Sequence, residues 1–203
     1  MKIIRILVLL YLAPILFMAA GTVHAVELDS IMTRYAAAKM INFEIWVVVE
    51  SDIFGTVDTT HGDITLTDDG RYVAYVGDDI YLFDGRCIWE YSRENNQATK
   101  DCLEENEIFE NELFFIKNLK KYYTVAREDE DLFLLVRTSP ESSQLPDSMT
   151  VTTDNEALLD LTYYDLNHDL NKVHIKSDNL YETIDREIFE IDLPDTTEII
   201  TLP

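Results

Sequence analysis

Carboxylates are the first residues in this chain whose spacing could do chemistry. Asp68-Asp69 and Asp78-Asp79 are adjacent pairs, and Asp165-x-Asn167-x-Asp169 has the opening spacing of a calcium loop. The loop fails further on: its sixth position should be Gly and is Leu170, and its twelfth should be Glu and is Lys176. It reads as a turn between strands. Both Asp pairs adjoin glycine, at Gly70 and Gly77, where solvated turns form more readily than an acid–base couple. His168 and His174 stand six apart across the Asp165 turn, which matches no standard metal spacing, and His61 stands alone. A nucleophile would need a histidine partner and a strained elbow to seat it, and no such elbow is present. Six glycines leave little for a nucleotide-binding loop. These residues point to no catalytic group, no metal and no cofactor, and so to a protein that is not an enzyme.

The chain opens as a secretory leader does. Lys2 and Arg5 precede an apolar run at residues 6–20, and Val23-His24-Ala25 offers small residues at the two positions a signal peptidase reads. Cleavage is expected after Ala25, which makes 1–25 a cleavable signal peptide and 26–203 a single soluble domain. No cysteine lies at the cut to take a lipid. Cleavage removes Lys2 and Arg5 and no acid, so the formal charge goes from −23 to −25. Nucleic acid is disfavoured, since phosphate binding needs clustered Lys and Arg. Anionic lipid surfaces are disfavoured for the same reason.

Cys87 and Cys102 are the two cysteines. In an oxidising compartment they suggest one disulfide. If Glu94 and Asn95 centre the turn between them, the two cysteines stand directly opposite each other in an antiparallel pair, within reach of a bond.

The elements that carry these residues are mostly strands. Residues 61–93 are short aromatic-rich segments broken by Asp-Asp-Gly, Gly-Asp-Asp and Asp-Gly, an antiparallel meander. Before it, residues 28–40 place Leu28, Ile31, Met32 and Tyr35 at helical spacing, and residues 41–50 alternate as a strand. Residues 104–121 predict a second amphipathic helix, acidic at its front and basic at its back. Strands are predicted again at 122–127 and 132–137, then over MTVTTD, ALLDLTYYDL, NKVHIKS and EIFEIDLP. Helix, meander, helix, meander is an α+β order built on a long antiparallel sheet.

This succession resembles the periplasmic carrier of outer-membrane lipoproteins, the LolA-like family, over nearly all of the mature chain. The likeness is carried by the short helix leading into INFEIWVVV, by Gly62-Asp63-Ile64-Thr65-Leu66, and by the aromatic strand 71–75. IYLFDGRCIWEY, ELFFIKNL, KKYYTVAREDEDLFLLVRTSP and REIFEIDLPDTTEII follow in the family's order. The resemblance implies an incomplete antiparallel β-barrel of about eleven strands, closed by helices over a hydrophobic cavity. It implies a periplasmic carrier that shields lipoprotein acyl chains between the inner and outer membranes. Its partners would be those acyl chains, an inner-membrane lipoprotein-releasing transporter and an outer-membrane receptor. The protein would act as a monomer. A lipid- or lipoprotein-sensing binding module, or a carrier of another lipid, is the second reading.

On strand alternation the cavity would be lined by Phe43, Ile45, Val47, Ile64, Leu66, Tyr72, Ile80, Leu82, Trp89 and Tyr91. Phe109, Leu113, Phe115 and Ile116 on the second helix would form its lid. One departure stands out. The family often carries a basic residue and Pro in the turn after the Gly-x-hydrophobic strand, and here that turn is Asp68-Asp69-Gly70, with Arg71 the nearest cation.

Overall fold

The computed structural model describes residues 23–104, 114–138, 145–154 and 156–202. Helix α1 (Val23–Ala37) leads into β1 (Met40–Ser51). The meander follows as β2 (Thr56–Thr67), β3 (Tyr72–Val76), β4 (Asp79–Phe83), β5 (Cys87–Ser92) and β6 (Gln97–Cys102). Two short helices, α2 (Phe114–Lys117) and α3 (Leu119–Tyr122), precede β7 (Tyr123–Asp129) and β8 (Leu132–Arg137). Then come β9 (Ser148–Asp154), β10 (Ala157–Tyr164), β11 (Leu170–Tyr181), a 3-10 turn at Glu187–Phe189 and β12 (Glu198–Thr201).

All strands join one 12-stranded sheet in the order β12-β6-β5-β4-β3-β2-β1-β11-β10-β9-β8-β7. Its two ends are not paired with each other, so the sheet is an unclosed barrel. Every pairing is antiparallel except β12 on β6. Four of the turns fall where the sequence places glycine, at Gly55, Gly70, Gly77 and Gly85. Gly70 takes φ +91 between β2 and β3, a conformation that costs a side-chain-bearing residue energy and glycine little.

Cross-strand partners share a face, so the register assigns every side chain to one side. Ile41, Leu66, Tyr72 and Phe83 form one row, and Phe43, Ile64, Ala74 and Tyr81 the next. The buried residues of α1, namely Leu28, Ile31, Met32 and Tyr35, pack on this face together with Val151, Leu161 and Val173 from the far half of the sheet. The opposite face carries a smaller core, in which Phe189 of the 3-10 turn covers Val73 and Leu82.

Three expectations change. Over the described residues 114–122 the expected single helix is two short ones, α2 and α3, separated at Asn118 (φ −121, ψ 34), and residues 105–113 of that expectation lie outside the described residues. Asparagine bonds readily to nearby backbone and is a poor helix-interior residue. The segment EIFEIDLP is a 3-10 turn and coil, not a strand: Phe189 and Ile191 both pack against the small core. The barrel has 12 strands because the C-terminal residues add a parallel edge strand beside β6.

Cys87 and Cys102 are directly paired in register and joined as a disulfide, with Cα atoms 4.0 Å apart. Ser92 pairs with Gln97, which centres the turn on Glu94 and Asn95 as the sequence implies.

Candidate lipid-binding face

The helix-covered face begins at β1, where β-branched and aromatic residues alternate with polar ones. Phe43 and Ile45 are buried, as are Ile64 and Leu66 on β2 and Tyr72 on β3, while Val47 is half-buried at the margin. Gly62 stands opposite Ile45. A Cβ there would come within 3.2 Å of Ile45 Cγ1, so the missing side chain makes room for the isoleucine. Tyr35 meets the Phe43 ring edge-on at 5.5 Å between centroids. Its Oη accepts the Leu158 N–H at 3.3 Å. Burial, and then a hydrogen bond to Asp178, push the Tyr35 phenol well above its usual range. Asp178 pairs in register with Phe43 and also holds Arg34 Nη2 at 3.2 Å. Two consecutive α1 side chains are thus fastened to one carboxylate of β11.

The second helical segment covers the same face. Ile116 and Leu119 are buried in the main core. Lys117 is buried beside them, and its ammonium donates to the carbonyl oxygen of Ala38, just past the end of α1, at 2.7 Å. Burial lowers its pKa from the ordinary lysine value. Lys120 pairs with Asp29 at 2.5 Å and donates to Thr33 Oγ1 at 2.9 Å. The cover is therefore α1 and α2–α3 joined by two lysines. Of the residues expected in a lid, Ile116 packs here and Phe115 belongs to α2, while Phe109 and Leu113 lie outside the described residues.

Ile80, Leu82, Trp89 and Tyr91 do not share this face. The two-residue turn Gly77-Asp78 pairs Val76 with Asp79, which aligns Ala74 with Tyr81 and Tyr72 with Phe83. Phe83 then pairs with Ile88 and Leu82 with Trp89. In strands of period two, a one-residue error in register moves every side chain to the other side. The residues that belong to the helix-covered face are Tyr81, Phe83 and Ile88, and the short Gly-Asp turn is the sequence signal that could have found them. Trp89 instead borders a cavity of about 410 Å³ on the opposite face, with Arg71, Asp84, Arg186, Phe189 and Ile191. Lys100 Nζ lies 4.5 Å from its ring centroid. Tyr91 is buried on that same side, its hydroxyl directed at Asn96 Oδ1 3.4 Å away.

The Asp68-Asp69-Gly70 turn is occupied by its own ion pairs. Asp68 holds Lys39 at 2.5 Å and Asp69 holds Arg71 Nη2 at 2.7 Å. The Arg71 guanidinium keeps the Asp69 carboxyl down to about 2, with a hydrogen bond from Thr67 assisting. Arg71 is thus committed to its neighbour, and the lysines that tie the helical cover together are Lys117 and Lys120. Among the described residues, no group of three or more His, Cys, Asp or Glu side chains is placed to hold a metal ion. No described helix is long and apolar enough to cross a membrane.

The coordinates define a class: an open, mainly antiparallel half-barrel whose apolar face is covered by helices. No protein-family profile matches the chain, and no curated protein matches it by sequence. Solved structures do. The chain is similar to an uncharacterized conserved protein from Thermus thermophilus, with a TM-score of 0.49 and 8% identity over 86% of this chain and 99% of that one. It is also similar to a LolA superfamily protein from Nitrosomonas europaea, with a TM-score of 0.44 and 10% identity over 80% and 97%. A DUF1329 family protein from Desulfovibrio piger gives a TM-score of 0.44 and 13% identity over 82% and 97%.

Proposed function

We propose that this protein is a periplasmic carrier that shields the acyl chains of lipoproteins beneath α1 and α2–α3 and ferries them between membranes. The observation that carries this reading is the nature of the cover. It consists of helices fastened to an apolar sheet face by side chains, not by strand pairing, so it can lift without breaking the sheet. Signal-peptide cleavage after Ala25 would leave Leu28, Ile31, Met32 and Tyr35 in the mature chain.

The magnitudes are compatible with exchange. Burial of Leu28, Ile31 and Met32 contributes on the order of 6 kcal/mol at about 2 kcal/mol each. Acyl methylenes contribute ~0.8 kcal/mol each when buried. About eight methylenes, less than one long acyl chain, offset the lifting of those three side chains. The inner-membrane transporter and outer-membrane receptor belong to this reading as the donor and acceptor of cargo.

The test uses a dansylated undecanoic acid with the mature protein. Val47→Glu and Tyr81→Glu place a carboxylate at half-buried positions of the helix-covered face, where an ionised group resists apolar burial. Each should stay folded by circular dichroism and bind the probe at least tenfold more weakly. Undiminished binding in both folded variants would remove the lipid from this face.

A further inference from the structure

We infer that the outer edge of β2, over Thr56–Thr60, is a docking edge for an extended, basic segment of another protein. β1 and β2 each run for 12 residues, whereas β3 has 5 and begins to pair with β2 only at Gly62. The hairpin of β1 and β2 therefore projects past β3. Among the described residues, no strand pairs with Thr56–Thr60 on the side away from β1.

The hydrogen-bonding pattern of that edge can be read residue by residue. In an antiparallel strand the N–H and C=O of one residue point to the same side, and successive residues alternate. His61 faces β3, because its carbonyl accepts the Gly77 N–H at 2.9 Å. Thr59 and Val57 therefore aim their N–H and C=O groups the same way, past the point where β3 has ended. Edges are ordinarily blunted by proline, lysine or a bulge. Residues 56–60 hold neither Pro nor Lys, and the β1–β2 register runs without a break.

The surroundings select the partner. Residues 51–63 contain Asp52, Asp58 and Asp63 and no Lys or Arg. Ile53, Phe54 and Val57 are 73%, 78% and 66% exposed at and beside the tip. Along the edge, Val57 and Thr59 share one face, as their partners Glu50 and Val48 show, and Asp58 lies on the other. A strand added here would set apolar or β-branched residues beside Val57 and Thr59 and a cation beside Asp58. The fitting motif is apolar–basic–apolar. Gly77 closes one end of the slot, which leaves room for about five residues at ~3.3 Å each. A second copy of this chain fits poorly, since its own edge would bring Asp58 against an acidic strand.

The probe is an acetylated, amidated pentapeptide alternating valine and lysine, compared with the same peptide carrying glutamate for lysine and with an N-methylated version. At saturation, the lysine peptide should slow amide exchange at Val57 and Thr59 at least tenfold, and the other two should not. Thr59→Pro removes one outward N–H and should abolish binding. Asp58→Lys should reverse the preference toward the glutamate peptide, and it keeps the test decisive should the proline variant lose its fold. Three results would overturn the inference: unslowed exchange at Val57 and Thr59, equal protection by the glutamate or N-methylated peptide, or a folded Asp58→Lys protein with unchanged preference.

Discussion

The ammonium of Lys117 lies 2.7 Å from the carbonyl oxygen of Ala38, which ties α2 to the end of α1. A buried cation on a helix-terminal carbonyl satisfies an orphaned acceptor and gains from the dipole of α1. It also loses water. Lys117→Met should keep the apolar stem and remove the donor. Hydrogen bonds to charged groups contribute about 1.5–3 kcal/mol, and the relief of desolvation offsets part of that. We expect a folded variant about 1 kcal/mol less stable, with faster amide exchange over residues 116–119 and faster release of bound lipid.

The same residue predicts a pH signature. Burial lowers the Lys117 pKa in the folded state, so between that value and the unfolded value of 10.5 the unfolded chain binds more protons. Stability contributed through Lys117 therefore rises with pH across this window. Tyr35 and Tyr123 act oppositely, because burial raises both phenols and the unfolded chain loses their protons first above 10.0. Urea titrations of wild type and Lys117→Met from pH 7 to 10 isolate the lysine. Their stability difference should shift in favour of wild type as pH rises, and a constant difference would show that Lys117 does not titrate in this window.

How far the sequence reaches is visible in two hairpins of the meander, β5–β6 and β3–β4. The β5–β6 hairpin is legible because the cysteines and the Glu94-Asn95 turn fix one register, which the disulfide and the Ser92–Gln97 pair share. The β3–β4 hairpin is legible only through its short Gly77-Asp78 turn, because Ile80, Tyr81, Leu82 and Phe83 are all apolar and their run has no polar beat to mark which side faces the helices. Both faces of β4 are covered, one by α1 and its neighbours and the other by Phe189, so both are apolar. Without a polar face, alternation assigns no direction. The 3-10 turn at Glu187–Phe189 hides for a related reason, since Ile188, Phe189 and Ile191 are as apolar as a strand and the packing decides their shape.

The disulfide should matter to the edge of the sheet more than to its centre. Cys87 and Cys102 close a separation of 15 residues. A loop of this size contributes about 3 kcal/mol in the chain-entropy model. Reduction and alkylation, or Cys87→Ala with Cys102→Ala, should lower unfolding free energy by about that amount. Amide exchange should rise in β5, β6 and β12, which lie at the sheet edge. Intact mass should show thiols that alkylate only after reduction. A stability loss below about 1 kcal/mol would show that the β5–β6 register holds without the bond.

The tryptophans offer a test of which face receives the lipid. Trp89 borders the small cavity opposite the helices, and Trp46 is 40% exposed on that same side, 4.5 Å between ring centroids from His61. The sequence alone places Trp89 among the expected cavity-lining residues, whereas its pairing with Leu82 places it on the face opposite the helices. Contact quenching by a brominated acyl chain requires approach to the indole, and the sheet itself, whose successive side chains point to opposite faces, stands in the way. In Trp46→Phe protein, brominated lipid that binds by the dansyl-displacement measure should leave Trp89 emission nearly unchanged. Placing a reporter on the helix-covered face, as Tyr81→Trp, should restore strong quenching. Strong quenching of Trp89 with Tyr81→Trp unaffected would instead seat the lipid in the cavity beside Arg71 and Phe189, and the proposed site would have to move to the opposite face of the sheet.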